Sequence, residues 1–128
     1  MAEPKKHDLV LSEITEQIIG AAIEVHKALG PGFIESIYQK ALEIELKNRG
    51  LSVEIEKEIK IYFKHALVGI HRLDLLVNGQ VIVELKAIKE FEDSHTAQVL
   101  SYLKATGLNV GLLFNFAKSK VKIKRVVQ

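Results

Sequence analysis

Along this chain the spacing of apolar positions switches from helical to strand-like, back to helical, and then to strand-like again. Ile14, Ile18, Ala21 or Ala22, Val25 and Leu29 recur at helical intervals and predict a helix from Ser12. Ser12 suits its N-cap, and Glu13 and Glu16 suit its first turn. "GPG" at Gly30 to Gly32 stops it. Residues 1–8 read as a flexible polar tail, which leaves 9–128 as a single domain. A second helix is expected from about Phe33 to Arg49, with Ile34, Ile37, Ala41, Ile44 or Leu42, and Leu46 on its stripe. Gly50 is placed to end it in the left-handed region.

The period then becomes two. "VEIEKEIKIYF" alternates, with Val53, Ile55, Ile59, Ile61 and Phe63 on one face of a half-exposed strand. "ALVGIHRLDLLV" and "QVIVELKAI" are nearly apolar on both faces and read as central strands covered on both sides. Asn78–Gly79 between them is a hairpin signal. "DSHTAQVLSYLKATG" predicts a third helix, capped by Asp93 or Ser94, with Ala97, Leu100 and Leu103 or Lys104 on one face. Gly107 ends it, and "NVGLLFNF" and "KVKIKRVV" follow as strands. The order α-α-β-β-β-α-β-β predicts an α/β domain, a mixed sheet with helices on both faces.

Three charges interrupt the apolar central strands: Asp74 in one, Glu84 and Lys86 in the next. A buried carboxylate is costly unless something pairs with it. Glu84 and Lys86 are two apart, so they share a face. Whether Asp74 joins them depends on register. A plain two-residue turn pairs Val77 with Gln80 and sets Asp74 against Val83, on the wrong face. A three-residue loop of Val77, Asn78 and Gly79 pairs Leu76 with Gln80 and Asp74 with Ile82, on the same face as Glu84 and Lys86. A bulge has the same effect. One of these is expected. Two converging carboxylates raise each other's pKa. A hard divalent cation relieves that, and Mg²⁺ takes one or two carboxylates plus water and phosphate oxygens. The set suits phosphodiester hydrolysis, with the lysine orienting water or neutralising developing charge.

Asp on one strand followed by Glu-x-Lys on the next resembles the PD-(D/E)XK nuclease superfamily, although Leu73 stands where that pattern usually has proline. "GFIESIY" matches G-x-x-E-x-x-Y through Gly32, Glu35 and Tyr38. With "VIVELKAI", "AQVLSYLKATGLNVGLLFNF" and the basic last strand, nearly the whole chain is similar to the GxxExxY family of that superfamily. The resemblance implies a restriction-endonuclease-like three-layer α-β-α core and a metal-dependent nuclease acting on DNA, with RNA as the second choice. It implies Asp74 and Glu84 as metal ligands for Mg²⁺, with Mn²⁺ as a substitute. It implies Lys86 as the catalytic lysine, Glu35 as the helical acid and Gln98 as the glutamine of the following helix. Asn115-Phe116-Ala117 departs from the family's Asn-Phe-Gly and puts a local turn in question.

Composition adds less. The 128 residues carry 18 Lys and Arg, 16 Asp and Glu, and no cysteine, so disulfides and thiolate metal sites are excluded. No apolar run approaches the roughly 18 residues of a membrane span, and the first residues lack a signal peptide's apolar segment. A cytoplasmic protein without a membrane partner is the expectation; a homodimer is compatible with so small a domain. Lys118, Lys120, Lys122 and Lys124 form a row on the last strand, either a weak contact for phosphates or an edge protected from aggregation. His26 reads as structural more readily than pocket-lining, Tyr38 as core packing with a hydrogen-bonded tip, and His71 falls opposite Asp74 by alternation. The alternative function is a catalytically silent nucleic-acid-binding or protein-interaction module on the same fold.

Overall fold

Helix α1 spans Lys6–Leu29 in the computed structural model, which describes residues 6–128 and their side chains from Leu11 onward. Residues 1–5 of the expected tail lie outside the described residues. The helix begins upstream of Ser12, which is therefore an interior residue rather than the cap: no proline or glycine separates Lys6 from Ser12 to stop it. Helix α2, Glu35–Asn48, follows the Gly30–Gly32 break. Its buried side is Tyr38, Leu42 and Leu46, spaced by one turn each. Ile34, Ile37 and Ile44, expected on that stripe, are exposed instead. Gly50 has φ +83° and closes the helix as expected.

The strands β1 (Val53–Phe63), β2 (Ala66–Val77), β3 (Val81–Lys86), β4 (Val110–Asn115) and β5 (Lys122–Val127) form one sheet in chain order. β3 and β4 run parallel and the other neighbours antiparallel, so the sheet is mixed. α1 and α2 cover the face that carries Leu75, Val77, Val83, Leu85, Leu112 and Phe114. α3 (Asp93–Thr106) covers the other, with Leu73, Leu76, Ile82, Leu113 and Val126. This is the expected three-layer α-β-α core. α3 presents Val99, Tyr102 and Leu103 inward and ends at Gly107, φ +76°. It lies close on β4 because Gly111 has no side chain: a Cβ there would sit 2.6 Å from Val99 Cγ1.

β2 corrects one expectation. Only its second half, from Leu73, is buried; Ala66 to Arg72 pairs with β1 alone and is largely exposed. Its apolar run is covered only where the six-residue β3 lies beside it. No helix among the described residues is long and apolar enough to cross a membrane.

Candidate active site

Asn78 and Gly79 both adopt positive φ, 52° and 64°, as a tight Asn-Gly hairpin turn requires. Gln80 N donates to Val77 O at 3.0 Å, but the ladder resumes with Val77 opposite Val81. Gln80 is therefore an extra residue. It shifts Leu76 opposite Ile82 and Leu75 opposite Val83, two positions from the expected pairs but on the expected faces. Continuing that count puts Asp74 opposite Glu84.

There the two strands stop pairing through their backbones. Asp74 N donates to Glu84 Oε1 at 3.1 Å, and Leu85 N donates to Asp74 Oδ2 at 2.8 Å. Each carboxylate thus accepts from the partner strand, and the reciprocal bonds hold the acids face to face. Across β1 the opposing residue, Glu56, has φ +48°. The alternation of faces also breaks here: Leu75 lies in the α1–α2 core, while Leu73, two residues away, lies in the α3 core. That kink corrects the placement of His71. It packs on the α3 side, with its ring 4.6 Å from that of Tyr102 and its Nε2 hydrogen-bonded to the Tyr102 hydroxyl.

Glu84 is 4% exposed. Burial, and next the Asp74 charge, push its pKa from 4.5 up to about 8; Lys86 pulls weakly the other way. Tyr102 is also raised, first by burial and then by the charges of Glu84 and Asp74. Gln98, one turn earlier on α3, lies beside the Tyr102 side chain and opposes that shift. Sequence reasoning missed Tyr102; its signal was the spacing of four from Gln98, which puts both on one helix face. Lys86, half-buried, projects on the Glu84 side of β3.

Glu35 opens α2 in the opposite layer, and its Oε1 accepts from Ala87 N at 3.2 Å, just past Lys86. It meets the end of β3 rather than the acid pair. Among the described residues no three His, Asp or Glu side chains are grouped to hold a metal. The two acids that do meet are Asp74 and Glu84. Each acid commits one oxygen to a backbone N–H, which leaves a second oxygen for a ligand. Hard carboxylate oxygens suit Mg²⁺, and a cation held there would replace the proton that burial favours on Glu84.

Asn115 was not singled out as a site residue, yet it frames the site. Buried on β4 beside Lys86, it accepts from Ile88 N at 3.1 Å and donates Nδ2 to Ile88 O at 2.8 Å. It also accepts from Ala117 N at 3.1 Å, so the turn forms without glycine. Asn115→Ala is expected to cost about 1–3 kcal/mol, because Ile88 loses both partners; urea unfolding measures it, and a change under ~0.5 kcal/mol contradicts it.

Other residues are structural. Tyr38 is fully buried, stacks on Phe116 at 4.5 Å, and donates its hydroxyl to Gly30 O at 2.6 Å. His26 Nε2 lies 2.8 Å from Lys118 O and fastens α1 to the loop before β5. That loop splits the lysine row. β5 starts at Lys122, so only Lys122 and Lys124 share a strand face. Lys118 flanks these two around a shallow cavity, while Lys120 lines another, beside His26.

A family model described as the PD-(D/E)XK nuclease superfamily matches residues 12–126. A comparison with curated proteins finds no match. A solved chain described as "Crystal structure of SSO0001" superposes with a TM-score of 0.60 at 19% identity. The match covers 73% of this chain and 50% of that one, so this chain spans about half its length, and the likeness is one of fold.

Proposed function

Because the chain belongs to the PD-(D/E)XK nuclease superfamily, we propose that it hydrolyses phosphodiester bonds of nucleic acid, DNA in the first place, with Asp74 and Glu84 holding Mg²⁺ or Mn²⁺. The observation that carries this reading is the facing acid pair with Lys86 on its side of the sheet. A divalent cation bound there supplies Lewis acidity toward a phosphoryl oxygen and lowers the pKa of water. Lys86 brings an ammonium that stabilises charge developing on the phosphate and orients the attacking water. Gln98 and Tyr102 form a polar wall on α3 above the acids. Glu35 fixes the Ala87 backbone and thereby the exit of β3 that carries Lys86. Within the superfamily, Gly32, Glu35 and Tyr38 support placement in the GxxExxY family.

Purified protein incubated with single-stranded and duplex DNA and RNA is expected to cleave at least one of them with Mg²⁺ or Mn²⁺, and not with EDTA. Intact nucleic acids together with no cation binding by calorimetry would overturn the proposal. Binding without cleavage would favour the silent nucleic-acid module.

A further inference from the structure

Beyond Asp74 the β1–β2 hairpin continues alone, from Lys57 opposite Leu73 to Phe63 opposite Ala66. At ~3.3 Å per residue this is roughly 20 Å of two-stranded ribbon. Such a ribbon is marginal by itself, yet this one leaves its apolar residues in solvent. Tyr62 is 59% exposed and Phe63 63%, with Lys64 Nζ 5.5 Å above the Phe63 ring. Between the ribbon and α3 lies an open cleft of about 610 Å³. Lys60 and Tyr62 line it from the hairpin, Ser101 and Lys104 from the helix, and the His71–Tyr102 pair lies between them. No acid lines it. The nearby Glu58 is held by Arg72 at 3.2 Å.

We propose that this cleft is the track along which a single-stranded segment of nucleic acid reaches the Asp74–Glu84 pair, a proposal that rests on the nuclease reading above. Two lysines and no carboxylate suit a phosphate backbone. Exposed tyrosine and phenylalanine rings suit unpaired bases, because in a duplex the base faces are stacked on one another and unavailable. The cleft also lies near the acids, whose charges reach Tyr102 in its wall. His71 is three residues from Asp74 on the same strand, about 10 Å. Stacking on the tip would anchor the strand and Lys60 and Lys104 would guide it inward, without reading sequence.

The test is fluorescence anisotropy in EDTA, where no turnover occurs, with a labelled strand of about 20 nucleotides, longer than a typical single-domain footprint, and with its duplex. Wild type is expected to bind the single strand at least ~5-fold more tightly than the duplex. Tyr62→Ala/Phe63→Ala is expected to weaken single-strand binding ~10-fold or more. Lys60→Ala/Lys104→Ala is expected to reduce the salt slope by about 1.4. All four positions border solvent, and circular dichroism of each variant verifies the fold. Unchanged affinity in both variants overturns the track, and so does a preference for duplex, which would place the ribbon in a groove instead. If Tyr62→Ala/Phe63→Ala abolishes self-association seen by sedimentation but leaves DNA affinity alone, the tip belongs to a second copy and the track is overturned. Cleavage by wild type with Mg²⁺ is scored separately: cleavage with unaltered binding in the variants removes the track and leaves the nuclease reading standing.

Discussion

Lys86→Ala is expected to lower the single-turnover rate of cleavage by ~10²–10³-fold while changing nucleic-acid affinity only a few-fold. The asymmetry follows from position. Lys86 shares its face with Glu84, and its charge is felt by that carboxylate, so its ammonium lies where charge builds up on a phosphate bound at the acid pair. Its contribution grows as the reaction proceeds, whereas ground-state binding is spread over the cleft and the other surface lysines. Lys86→Arg keeps the charge on a larger, planar group and is expected to recover only part of the rate. Equal losses of rate and affinity would make Lys86 a binding residue. An unaffected rate would remove it from the chemistry.

The second large effect concerns pH. The Glu84 carboxyl has its pKa pushed up to about 8 in the folded protein, against an ordinary 4.5, by burial first and then by Asp74. A carboxyl raised in this way favours the folded state most when it is protonated. The stabilisation is complete below about pH 4.5 and is lost as pH rises through about 8. At ~1.36 kcal/mol per pH unit, the loss over that window is at most on the order of 4 kcal/mol. Metal-free protein is therefore expected to melt at least about 10 °C lower at pH 8.5 than at pH 5. Glu84→Gln keeps an acceptor for Asp74 N but cannot ionise, so its melting temperature is expected to vary much less over the same range. The wild type minus Glu84→Gln difference isolates this carboxyl from the rest of the molecule. If Mg²⁺ binds the ionised pair as proposed, it is expected to restore stability at the alkaline end. Parallel melting curves for the two proteins without metal would show that Glu84 is not held protonated.

The elements were legible because period and punctuation agree: Gly50 and Gly107 end helices where apolar spacing ends, and Asn78–Gly79 makes the turn its composition demands. The shared face of Asp74, Glu84 and Lys86 followed from parity alone, and parity survived although the extra residue is Gln80 rather than Val77. What a local pattern could not carry was the break in alternation at Asp74. Splaying at the acid pair depends on carboxylates accepting from the opposite strand, a long-range event, and it moved His71 to the α3 side beside Tyr102. The exposed ribbon was misread for a similar reason. "ALVGIH" has the composition of a covered strand, but coverage depends on how far β3 and the helices extend. The buried stripe of α2 was misjudged because Ile34, Ile37 and Ile44 are apolar without being core, whereas Tyr38 is core with a hydrogen-bonded tip, as expected. Asn115 has only the general features of a polar residue ending a strand; its role appears once Ile88 is seen to lie across from it.

The account depends most on the second oxygens of Asp74 and Glu84 meeting a common cation. Soaking crystals in Mn²⁺ and computing an anomalous difference map tests this directly. The predicted result is a peak between the two carboxylates, lost in Asp74→Ala. Manganese bound elsewhere on the molecule, with no peak between this pair, would contradict it.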